Sequence, residues 1–124
     1  MKTPATIGIF MDPHGSGIAH IRRVPDLSKK IIQTLMDSEY TRVTSVSIDG
    51  SEFDIYHTGV SAEIPTVYTK DKPIINGPYF ICLSPGSLGR SLTDYHVNVI
   101  LSHIQHKRVT SLRREYDIDI LTIQ

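Results

Sequence analysis

Near the start, Asp12-Pro13-His14-Gly15-Ser16-Gly17 sets a histidine beside glycines and a serine. Successive backbone N–H groups around glycines can form a nest that takes an anion. An imidazole beside such a nest titrates near neutral pH and can move a proton. A nucleotide-hydrolase phosphate loop, however, needs a lysine and a helix directly after its glycines. Here "GIAHIRRV" (17–24) follows, alternating apolar and polar residues as a strand does. Asp-Pro and Gly-Ser-Gly therefore read as turn formers at a hairpin tip, with His14 exposed on it.

The stretch "SPGSLGRSLTD" (84–94) is the better anion candidate. Ser84 and Ser87 bring hydroxyls, Arg90 a guanidinium, and Ser91 caps a helix whose N-terminal dipole favours negative charge. Tyr79 and Tyr95 flank the stretch and could stack on a base.

Other constellations read as structural. His96 and His103 are seven residues apart, which on one helix is about 10 Å, too far to share a metal. His103 and His106 are closer, yet a structural zinc site wants four N/S ligands and Cys82 is the single cysteine. These histidines read as a solvated helix flank. Cys82 sits in "YFICL", where apolar neighbours raise a thiol's pKa. Asp117 and Asp119 share a strand face and read as a charged edge. Arg22, Arg23, Lys107, Arg108, Arg113 and Arg114 read as solvated faces. No catalytic set, metal or cofactor is expected.

The elements must position these residues. The chain has 124 residues, 40% hydrophobic and 21% charged, which suits one domain over 1–124. Thirteen basic residues balance thirteen acidic ones, which argues against a duplex nucleic-acid binder. A single cysteine suits a reducing compartment, and no apolar run spans a bilayer. The expectation is a soluble protein of the host cytosol, cytoplasmic, with no membrane partner.

Strands are expected at 5–11, 17–24, 41–50, 51–59, 64–70, 77–86 and 116–124. "PDLSKKIIQTLMDSE" has a helical period, with Asp26 as N-cap. Ser91 to Asp94 fits a capping box that opens a second helix, 92–107. Asp49-Gly50 signals a tight turn. The fold class is α+β: a mainly antiparallel sheet with two helices packed on one face and an opening β-hairpin.

Gly77, Phe80 and Ile81, followed by Ser91, Leu92, Thr93 and Asp94, make an apolar G-x-x-F-I strand ahead of an S-L-T-D helix start. Over roughly residues 5–106 this layout resembles a family of small uncharacterised α+β proteins common in phages and mobile elements. The resemblance implies such an origin and fold, and no catalytic residues.

Three functional readings follow. The leading one is a small non-enzymatic binding protein that sequesters or inhibits a host protein, with anti-defence as its context, acting through an exposed strand edge or as a homo-oligomer. The second is a protein holding a small anionic or cyclic nucleotide between subunits at 84–94. The third is a phosphodiesterase-type enzyme using His14.

Overall fold

The computed structural model describes residues 5–60, 64–86 and 89–124. Its elements are β1 (Thr6–Met11), β2 (His20–Val24), α1 (Lys29–Met36), β3 (Arg42–Ile48), β4 (Ser51–His57), β5 (Pro65–Thr69), β6 (Lys72–Asn76), β7 (Tyr79–Leu83), α2 (Asp94–Ser102), β8 (Ile104–Ser111) and β9 (Arg114–Ile123). The fold is α+β and mostly antiparallel, but it holds two sheets where one was expected. Sheet A runs β2-β1-β7-β4-β3 and sheet B runs β6-β5-β9-β8. Among the described residues, only β5 and β9 pair in parallel. The second sheet has a simple cause: β7 is already flanked by β1 and β4, so the C-terminal strand has no central edge to join.

β7 is the most apolar strand and is buried on both faces. Tyr79, Ile81 and Leu83 enter the core between the sheets with Ile9, Met11, Phe53 and Ile55. Sheet B supplies Val67, Ile75, Ile118, Leu121 and Ile123 to that core. Phe80 and Cys82 point the other way, onto Ile32 and Met36 of α1. Val99 and Ile100 of α2 belong to the inter-sheet core. The helices therefore serve different layers and do not share one face.

Both helix starts shift from expectation. Ser28 caps α1, its hydroxyl accepting from the Ile31 N–H at 3.4 Å, while Asp26 Oδ1 accepts from the Ser28 N–H. Thr93 caps α2, and His96 completes the capping box by accepting from the Thr93 N–H at 3.2 Å. Ser91 and Asp94 do not form that box. The helix ends at Ser102, not 107, and Ile104–Ser111 becomes β8. That stretch lacks an apolar helical face, and eight successive pairs with β9 satisfy its backbone instead. β6, another missed strand, pairs with β5.

Candidate functional site

Asp54 organises the 84–90 region. On β4 its cross-strand neighbours are Ser45 of β3 and Cys82 of β7. Only 6% of Asp54 is exposed. The Ser45 and Ser84 hydroxyls each donate to its Oδ1 at 2.8 Å. Arg90 Nη2 donates to its Oδ2, also at 2.8 Å. Arg90 Nε donates to the Leu83 carbonyl at 2.7 Å, and Nη2 also reaches the Tyr56 hydroxyl. A buried carboxylate thus takes the donors that a phosphate was expected to use.

The remaining members of that expected site are dispersed. Ser91 accepts from the Ile7 N–H at 2.9 Å and donates to the Ala5 carbonyl, which ties the chain to β1. Tyr79 is wholly buried, and its hydroxyl donates to the Asp119 carbonyl, so it has no face for a base. Tyr95 is exposed on α2, edge-on to His96. Ser87 lies outside the described residues. The α2 N-terminus already carries the Asp94 carboxylate in its first turn. Burial pushes the Cys82 thiol up to about 11, against the pull of Arg90, so it is a poor nucleophile.

The opening loop also turns its donors inward. The His14 N–H donates to Asp12 Oδ1, and the Gly15 and Gly17 N–H groups both donate to the Asp12 carbonyl. Three N–H groups of the expected nest thus serve Asp12. The loop does not project as a tip; it docks on β9. The Asp119 N–H donates to the Gly17 carbonyl, and Asp119 Oδ2 accepts from the Ala19 N–H, both at 2.7 Å. A Cβ on Gly17 would lie 2.2 Å from the Asp117 carbonyl, so the approach requires glycine. His14 is exposed and meets the Tyr116 ring edge-on at 5.8 Å.

The histidines expected on one helix flank are spread over three settings. His96 is buried at the α2 cap, edge-on to Phe53. His103 follows the helix and meets Asp49 at 3.1 Å. His106 lies on β8, its Nδ1 2.7 Å from Asp119 Oδ1. Among the described residues no three His, Cys, Asp or Glu side chains gather as a metal site, and no helix is long and apolar enough to cross a membrane.

Placing β8 beside β9 builds a feature that the sequence reading missed. Ser111 pairs with Arg114, so Leu112 and Arg113 alone form the turn. Both have left-handed backbones, at φ 50° and 66°. Leu112 is 87% exposed. Arg108 pairs with Asp117 at 3.1 Å and approaches Glu115 at 4.0 Å. Lys107, Arg113 and Arg114 have no ion-pair partner among the described residues. Leu-Arg is no turn signal, so only the strand pairing exposes it.

Compared with family models, curated proteins and solved structures, the chain matches none.

Proposed function

We propose that this chain is a non-enzymatic binding protein, encoded by a phage or mobile element, that sequesters or inhibits a host protein. The observation that carries this reading is the tip of the β8–β9 hairpin. A left-handed backbone costs a residue other than glycine about 1–2 kcal/mol. A two-residue turn with both φ angles positive favours Asn-Gly or Asp-Gly. Leu112-Arg113 meets neither preference, so folding does not account for these residues; contact with a partner does. An exposed leucine followed by two arginines fits an apolar pocket with an acidic rim. The anti-defence context rests on the family resemblance alone.

The test uses the full chain and a Leu112→Asn/Arg113→Gly variant, which keeps the turn, as baits for host extract. The unmodified chain should retain a protein that the variant loses. Equal capture by both overturns the reading, as does turnover of a nucleotide or nucleic acid in a metal-supplemented screen. Under this proposal, cyclic nucleotides leave the melting temperature unchanged.

A further inference from the structure

Two sheets have four edge strands: β2 and β3 in sheet A, β6 and β8 in sheet B. An edge exposes unpaired N–H and C=O groups, and proteins blunt it with charge, proline or bulges. β2 (HIRRV) carries Arg22 and Arg23 in its middle. β6 (KPIIN) has Lys72, Pro73 and a register shift against β5. β8 (IQHKRVTS) has Lys107 and Arg108.

β3 (RVTSVSI) has none of these devices after its first residue. Val43 to Ser47 are neutral, four of the six residues from Val43 to Ile48 are β-branched, and Val43 is 50% exposed. The register with β4 runs unbroken from Arg42↔His57 to Ile48↔Ser51. Among the described residues, no backbone group outside β4 bonds to β3. Such a regular, neutral, β-branched strand is built for pairing.

We propose that a second copy of this chain lays its β3 antiparallel against this one, joining two five-stranded sheets into a single ten-stranded sheet. The strand is complementary to itself. A two-fold axis at Ser45 sets Thr44 against Val46 of the second copy, Val43 against Ser47, and Arg42 against Ile48. No like charges meet, whereas β2 paired with itself about Arg22 would bring arginines together. The two-fold contact also closes. The outer ends of the joined sheet are the two β2 strands, whose arginines stop further growth. This inference does not depend on the role of the β8–β9 tip.

The test is the solution mass of the full chain at micromolar concentration. The unmodified chain should have the mass of two chains. Val43→Lys/Ser47→Lys sets ammonium groups opposite each other and should weaken the dimer at least tenfold. Val43→Lys/Ser47→Glu sets opposite charges at the same places and should restore it. Hydrogen exchange on the unmodified chain is independent of any variant: β3 amides facing away from β4 should slow as concentration rises. A monomer at every concentration, a Lys/Lys variant that stays dimeric, open-ended assemblies, or β3 exchange that ignores concentration each overturns the proposal.

Discussion

The β3–β4 and β8–β9 hairpins both turn through two left-handed residues. The first uses Asp49 and Gly50, at φ 49° and 83°; the second uses Leu112 and Arg113, at 50° and 66°. Aspartate and glycine tolerate that backbone, and leucine and arginine resist it. The polar residues differ too. β3–β4 turns Ser45 and Asp54 onto Arg90 and Ser84 inside the protein. β8–β9 leaves Arg113 and Arg114 in solvent. The first turn uses residues suited to its backbone, while the second breaks that preference where it is most exposed. The rule-breaking turn is therefore the place to look for a partner.

The comparison breaks most sharply at Asp54. Asp54→Ala removes the acceptor shared by Ser45, Ser84 and Arg90 and leaves Arg90 only the Leu83 carbonyl and the Tyr56 hydroxyl, a loss of about 3 kcal/mol. Thermal unfolding should show a fall of roughly 10 °C. The turns give the next largest effects, with opposite signs. Gly50→Ala meets no atom within 4 Å, so its cost is backbone strain alone, about 1 kcal/mol of destabilisation by urea unfolding. Leu112→Asn/Arg113→Gly should stabilise by about 1 kcal/mol in the same assay. A destabilised double variant would mean that Leu112 and Arg113 serve the fold.

A smaller effect depends on pH. Burial, with Arg42 nearby, lowers the pKa of His57 on β4 from its ordinary 6.5. The folded state therefore prefers neutral His57. Its contribution is complete above pH 6.5 and is lost as pH falls towards the depressed folded value. Stability measured from pH 7 to 5 should decline, and His57→Gln should flatten that decline. The smallest effect belongs to Arg108→Ala, whose exposed pairs with Asp117 and Glu115 contribute no more than about 0.5 kcal/mol to urea-measured stability.

Much of the fold was legible in residue patterns. Alternation in "TRVTSVSIDG" and "SEFDIYHTG", joined by Asp49-Gly50, marks β3 and β4. The period of Leu27, Ile31 and Leu35 marks α1. Ile104 continues the apolar spacing of the second helix and so predicts a longer one, although β8 begins at that residue. The candidate site was less legible. Ser84 and Arg90 do act as donors, but their acceptor is 30 and 36 residues away at Asp54. "FDIY" shows that Asp54 faces away from Phe53, and only the β3-β4-β7 register puts a guanidinium over it.

The sequence by itself determined the α+β class, the α1 helix, the β3–β4 turn and the inert setting of Cys82. Each follows from interactions within a few residues or from local apolarity. Tertiary structure decided the rest: the division into two sheets, the docking of the opening loop on β9, the occupant of the Ser84–Arg90 donors, and the exposure of Leu112-Arg113. The physical reason is that alternation shows which face of a strand is apolar, whereas the neighbour that covers it, or leaves its edge bare, is set by pairings between distant parts of the chain.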